Sequence, residues 1–141
     1  LLENTPGEKP FALLLLDVDN FKQTNDRYGH PKGDAVLRCL GENLSGLFRR
    51  DDVVGRVGGD EFLMMMPGAG GEQAVGRAQK IAQEMCRSVS VQCGVDVSGS
   101  IGVVLSKPGA CAYEELLRRA DSALYAAKAA GKGCYRVYGG A

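Results

Sequence analysis

Six apolar residues run without a break from Phe11 to Leu16, and the run ends in Asp17-Val18-Asp19. A continuous apolar stretch of this length fits a strand buried on both faces. Its acids then emerge at the C-terminal end, where open α/β sheets bind ligands. Residues 1–10 ahead of it are polar, carry Pro6, Gly7 and Pro10, and read as an irregular lead-in. Residues 20–28 read as a short helix stopped at Gly29. Gly33-Asp34 opens a second helix, in which Leu37, Leu40, Leu44 and Leu47 recur at helical spacing.

Two β-rich runs follow, Val53-Val54-Gly55-Arg56-Val57 and Phe62-Leu63-Met64-Met65-Met66, around Gly58-Gly59-Asp60-Glu61. Adjacent glycines between such runs predict a hairpin whose tight turn needs φ > 0. Successive strand side chains point to opposite faces, so Asp60 and Glu61 need not share one role. A tip free of large side chains, with acids at its edge, suits close approach of a phosphate-bearing ligand and a metal. The plainer alternative is a solvated hairpin turn. After a loop at residues 67–71, Val75, Ala78, Ile81, Ala82 and Met85 mark an amphipathic helix. Residues 95–105 read as a strand weakened by Gly99 and Gly102, with Gly99 a candidate bulge. Residues 113–130 form another helix, with Leu116, Leu117, Ala120, Leu124 and Ala127 on one face and Gly131 as its stop. Residues 134–138 make a last strand. The order β-α-α-β-β-α-β-α-β predicts an α/β (α+β-like) fold, a mixed central sheet of about five strands with flanking helices.

A chain of 141 residues fits one domain with a real core. The lead-in and a single domain over residues 11–141 account for all of it. Net charge is zero, so no broad basic field favours nucleic acid, and no nucleic-acid partner is expected. No apolar run approaches the ~20 residues of a membrane span, and no signal-peptide pattern is present. The five cysteines (Cys39, Cys86, Cys93, Cys111, Cys134) are scattered, odd in number and form no CxxC pair. That argues against a zinc site and a disulfide framework, and predicts reduced, largely buried thiols in a cytoplasmic protein. The single histidine, His30, cannot anchor a His-rich metal site and reads as a turn or packing residue rather than a catalyst.

Mg²⁺ and Mn²⁺ take hard oxygen ligands, commonly one or two carboxylates plus substrate phosphates. If the hairpin pairs beside the first strand, Asp17 and Asp60 converge. The alternative for Asp17 or Asp19 is a cap on the next helix.

The run from Asp17 to Asp34 contains the motif DxDxFKxxNDxxGHxxGD in full. With Gly58-Gly59-Asp60-Glu61-Phe62, the RxxD pair Arg49 and Asp52, and Ala123-Leu124-Tyr125-Ala126-Ala127-Lys128 as ALYxAK, it closely resembles the GGDEF family of diguanylate cyclases. The likeness extends from Phe11 to Val137. It implies a fold related to the palm of nucleotide polymerases and synthesis of cyclic di-GMP from two GTP. By resemblance, Asp17, the backbone oxygen of Val18, and Asp60 and Glu61 bind two Mg²⁺ or Mn²⁺ per active site. Asp60 or Glu61 could equally be the general base, and the sequence does not separate the roles. Asn25 and Asp34 stand at guanine-reading positions, and guanine's neighbouring N–H donors suit a carboxylate. Phe21 and Lys22 open a helix whose free N–H groups favour anions. With Lys128 and Lys132 they form the implied phosphate site. The family more often carries Arg where Lys132 stands, and Lys lacks the bidentate fork.

Arg49 and Asp52 match the family's inhibitory product site. Arg77 or Lys80 is a candidate third member. At ~3.3 Å per strand residue the site lies on the order of 20 Å from the hairpin tip. The alternative is an exposed ion pair worth little. The family's upstream DxLTxLxNR motif is absent before Leu1-Leu2-Glu3. The resemblance therefore implies an excised domain, or a lost N-terminal segment, with a fused sensory or dimerising module that could attach the full-length protein to a membrane. Because the product joins two guanylyl units, turnover implies a homodimer. The rival function is a silent GTP- or cyclic di-GMP-binding regulatory module.

Overall fold

The computed structural model describes residues 9–139, so most of the lead-in, residues 1–8, lies outside the described residues. The all-apolar run forms β1 (Phe11–Val18) and takes the middle place in a five-stranded sheet. The order is β2-β3-β1-β4-β5, with β2 at Val53–Arg56, β3 at Glu61–Pro67, β4 at Gly99–Ser106 and β5 at Tyr135–Val137. All neighbours are antiparallel except the parallel β4–β5 pair, which makes the sheet mixed, as expected.

Both faces of β1 are covered, which is why its sequence does not alternate. Ala12, Leu14, Leu16 and Val18 enter the larger core with α2 (His30–Leu47) and α3 (Gly71–Lys80). Leu13 and Leu15 enter a smaller core beneath α5 (Tyr113–Ala129), with Leu63, Val104, Leu116, Ala120 and Leu124. α1 (Phe21–Tyr28) follows β1 directly and packs on α2. α3 continues through a π-helical turn, Ile81–Met85, into α4 (Cys86–Cys93). Taking these three as one helix, the element order is the expected one. No helix among the described residues is long and apolar enough to cross a membrane.

Several local expectations need correction. α2 begins at His30, not at Gly33, because Gly29 (φ 92°) breaks the chain and Pro31 pre-sets the first turn. His30 is exposed there, at the turn between helices. β4 begins at Gly99 and pairs with β1 in unbroken register from Val18↔Gly99 to Phe11↔Ser106, so Gly99 is no bulge. Residues 95–98 instead form a loop pinned by Ser90 Oγ, which accepts from Val97 N (2.8 Å). Gly102 is required by close approach: a Cβ there would meet the α5 backbone at Ala120 O and Leu124 N. Neither Gly58 nor Gly59 has positive φ, so the tight positive-φ turn anticipated does not form. Val57 N donates to Glu61 O (3.0 Å) across a wider turn. All five cysteines are free, but only Cys86 is buried; the other four are partly exposed on helix and loop surfaces.

Candidate active site

The register of β1 against β3 sets Asp17 opposite Glu61. One step on, Val18 N donates to Asp60 O (3.1 Å). A strand residue's N–H and C=O leave the same edge, so the Val18 carbonyl also faces the glycine turn. The sequence-predicted metal group, Asp17, Val18, Asp60 and Glu61, is thereby gathered at one end of the sheet. Arg56 holds the turn in shape, donating from Nη2 to Gly59 O (2.8 Å) and from Nε to Gly58 O (3.3 Å) and Gly59 O (3.1 Å). The glycines matter here for missing side chains rather than for φ. A Cβ at Gly58 would sit 3.1 Å from Glu61 Oε1, whereas Gly59 faces open space.

Asp17 Oδ1 is buried and has no hydrogen-bond partner. Its other oxygen pairs with Lys128 Nζ at 3.0 Å. Burial raises the Asp17 pKa to about 6; Lys128 opposes this and neighbouring Asp60 adds to it. Glu61 is also raised, first by burial, then by Asp121 and Asp60. Burial works to lower Lys128, but the carboxylates of Asp17 and Asp19 more than offset it, so its pKa is raised. An excess of acids with a buried orphan oxygen is chemistry that a divalent cation would satisfy. No three Asp, Glu, His or Cys side chains among the described residues form a complete cage. Mg²⁺ and Mn²⁺ sites of the kind anticipated do not need one, since water and phosphate supply the remaining oxygens. The donor set therefore fits such an ion.

Asp19 behaves differently from Asp17. It caps no helix: the N-cap of α1 is Asn20, in left-handed conformation (φ 55°), with no side-chain cap bond. Asp19 instead accepts hydrogen bonds from Ser98 Oγ, Ser100 Oγ and Gly133 N. Lys132 reaches Asn20 Oδ1 at 2.7 Å, which brings it to the start of α1 beside Phe21 and Lys22. The Phe21 ring points inward toward Gly33 and the core, so its backbone N–H is the part an anion can meet. Lys22 is exposed.

Asn25, on the same helix, packs against Gly33 so closely that a Cβ there would strike its amide oxygen. That Oδ1 is the second buried oxygen lacking a partner. Asp34, exposed, follows Gly33 on α2. The two positions expected to read guanine thus border one seam between α1 and α2.

Arg49 and Asp52 lie elsewhere, beyond the C-terminus of α2. Asp52 Oδ2 accepts from the backbone N of Arg49 (2.8 Å), folding a turn, and the two side chains form no ion pair with each other. Arg77 is committed to Leu47 O (2.8 Å) and stacks on Phe48 (4.9 Å). Lys80 is exposed beside a groove of about 540 Å³ lined by Glu42, Gly46 and Leu47.

Sequence reasoning missed Arg56, Asp121 and the serines around Asp19. Asp121 sits seven residues before Lys128, two helical turns away, and that spacing was the available signal. Arg56 directly precedes the turn that it braces.

Comparison with known proteins bears on this geometry. A family model described as diguanylate cyclase, GGDEF domain, matches residues 1–134. The diguanylate cyclase DgcM of Escherichia coli (strain K12) is 39% identical over 122 residues, which cover 86% of this chain and 29% of that protein. The diguanylate cyclase TpbB of Pseudomonas aeruginosa (strain UCBPP-PA14) is 39% identical over 140 residues, covering 97% of this chain and 32% of that one. The chain therefore spans under a third of the length of these relatives. Among solved structures, the active GGEEF domain of a diguanylate cyclase from Vibrio cholerae superposes with a TM-score of 0.83 at 32% identity, covering 92% of this chain and 83% of that one. The GGDEF domain of DgcB from Caulobacter crescentus, in complex with c-di-GMP, gives 0.82 at 28% identity, covering 93% and 79%. A matched model over nearly the whole length, on the shared fold, establishes that the chain belongs to the GGDEF family of diguanylate cyclase domains.

Proposed function

We propose that the chain is a catalytic diguanylate cyclase domain, condensing two GTP into cyclic di-GMP and two pyrophosphates. The observation that carries this is the buried, partnerless Asp17 Oδ1 beside the Asp60-Glu61 turn. A stable fold satisfies such an oxygen unless a ligand does so instead.

Asp17, the Val18 carbonyl, Asp60 and Glu61 would hold Mg²⁺ or Mn²⁺, two per site. When bound, the ions neutralise phosphate charge and lower the pKa of a hydroxyl. The chain's own residues do the rest. Asn25 and Asp34 accept the guanine N–H donors, and an adenine would leave Asp34 unpaired. The first-turn N–H groups of α1, with Lys22, Lys128 and Lys132, bind the triphosphate. Lys128 stands 3.0 Å from Asp17 and so places phosphate charge against the carboxylates. The 3′-oxygen of each GTP attacks the α-phosphorus of the other, so that two P–O bonds form and two bonds to pyrophosphate break. The hydroxyl proton leaves toward Asp60 or Glu61, and the raised pKa of Glu61 suits that residue to receive it.

One site holds one GTP, so the reading requires a homodimer with sites face to face. It makes residues 11–141 one cytoplasmic catalytic unit, joined in the whole protein to a sensory or dimerising module. The much longer relatives support that arrangement. Arg49 and Asp52, with Lys80 as the freer of the two candidate third cations, form the inhibitory cyclic di-GMP site. The test fuses the domain to a constitutive dimeriser and follows cyclic di-GMP from GTP and Mg²⁺ by chromatography. Wild type gives product, Glu61→Gln gives none, and Arg49→Ala gives product with weakened self-inhibition. A GTP-binding dimer without product would instead identify a regulatory binding module.

A further inference from the structure

We infer that Asp19 is a positioning residue for the two phosphate-binding lysines, Lys128 and Lys132, and not a ligand to metal. This rests on the catalytic reading above and assigns a role within that same site. A carboxylate offers about four acceptor positions. At Asp19 three of them take hydrogen bonds from the protein and the fourth faces an ammonium at ion-pair distance. Oδ1 takes Ser100 Oγ at 2.6 Å and faces Lys128 Nζ at 3.6 Å. Oδ2 takes Ser98 Oγ at 2.7 Å and Gly133 N at 2.9 Å. The side chain is fully buried. No position remains for a cation, whereas Asp17, two residues away, keeps a buried oxygen without any partner.

What Asp19 grips is informative. Gly131, Lys132 and Gly133 are three successive residues with positive φ (120°, 66° and 61°). Lys132 is one of only two non-glycine residues in that region among those described; the other is Asn20. Side-chain-bearing residues adopt it at a cost and stay there only when surroundings impose it. The imposing contacts are Gly133 N to Asp19 and Lys132 N to Ala127 O (3.1 Å). With the loop so held, Lys132 Nζ reaches Asn20 Oδ1 at the opening of α1. Asp19 and Asn20 are neighbours in sequence, so one short segment holds the backbone of the lysine loop and receives its ammonium. The same carboxylate lies 3.6 Å from Lys128 Nζ, whose nearer partner is Asp17 at 3.0 Å. The end of β1 thus serves two tasks: Asp17 faces the metal side, and Asp19 fixes the cations of the triphosphate side.

The proposal is tested by binding of a non-hydrolysable α,β-methylene GTP analogue and by melting with and without Mg²⁺. Asp19→Asn is expected to weaken analogue binding about 10-fold, as for other supporting contacts of a site. Lys132→Ala should weaken it comparably, and the double variant little beyond either alone, since both remove the same placed charge. Mg²⁺ should still raise the melting temperature of Asp19→Asn, but not that of Asp17→Asn. Ser98→Ala, which removes one donor only, should show the same coupling to Lys132→Ala with an effect of about 3-fold, and decides the matter if Asp19→Asn does not fold. Additive effects with Lys132→Ala, or loss of Mg²⁺ protection in Asp19→Asn, would overturn the proposal. Failure of the wild-type chain to bind the analogue at all would instead sink the catalytic reading.

Discussion

The two flanks of the β1 terminus contrast sharply. Toward β4, Asp19 is enclosed by Ser98, Ser100 and Gly133, with every oxygen satisfied. Toward β3, Asp17 meets Asp60 and Glu61 across the ladder, with one oxygen unsatisfied and a pKa raised to about 6. Two acids of one kind, two residues apart, therefore differ by their neighbours alone. A fold that leaves one flank unsatisfied while completing the other separates the place where it holds itself together from the place where a ligand completes it.

The largest effect expected from breaking this contrast is on activity at the β3 flank. Asp17→Asn should lower cyclic di-GMP formation by at least about 10²-fold, comparable to losing one preorganised charge in other sites, with the fold intact by circular dichroism. Unfolding should respond most at the β4 flank. Asp19→Ala strips partners from the fully buried Ser100 and from Gly133 N, and should cost about 3 kcal/mol in urea titration.

A third effect is linked to pH. The folded Asp17 carboxyl titrates near 6 against 3.8 as its ordinary value, so folding favours its protonated form. That contribution is fully present below pH ~3.8 and is lost as pH rises through about 6. In metal-free protein, Asp17→Asn should therefore be the more stable at pH 8, by up to about 3 kcal/mol, with the advantage vanishing near pH 4. A wild type that stayed ahead at pH 8 would mean that Lys128 outweighs burial. The smallest effect should come from Gly59→Ala. Its Cβ meets open space, so melting should shift by about 2 °C or less, while GTP turnover falls because the turn no longer admits a close ligand.

Legibility in the sequence followed distance along the chain. The convergence of Asp17 on the acids of the glycine turn was legible only on the condition that the hairpin lies beside the first strand; the structure sets β3 there and pairs Asp17 with Glu61. Helix faces such as Leu37-Leu40-Leu44 were legible from local spacing, and all three are buried. The role of Asp19 was not, because its partners lie 79, 81 and 114 residues away. Gly102 read only as a weak point in the strand, because the approach of the α5 backbone that requires it is not a local feature of the sequence. Of the two grounds for the turn glycines, positive φ is not realised, whereas the missing side chain is what Gly58 provides beside Glu61. The start of α2 is signalled by Pro31 after Gly29, ahead of the Gly33-Asp34 pair.

The π-helical turn at Ile81–Met85 also has a consequence for how this domain tolerates changes in length. Such a turn holds one residue more than an α-helical turn, through i→i+5 bonding. Removing an outward residue there, such as exposed Gln83, would leave an ordinary helix with Ile81 and Met85 still facing inward. The same deletion within α2 would turn every later position by about 100° and carry Leu40 and Leu44 out of the core. The domain thus has one built-in point where its chain can shorten by a residue without re-threading.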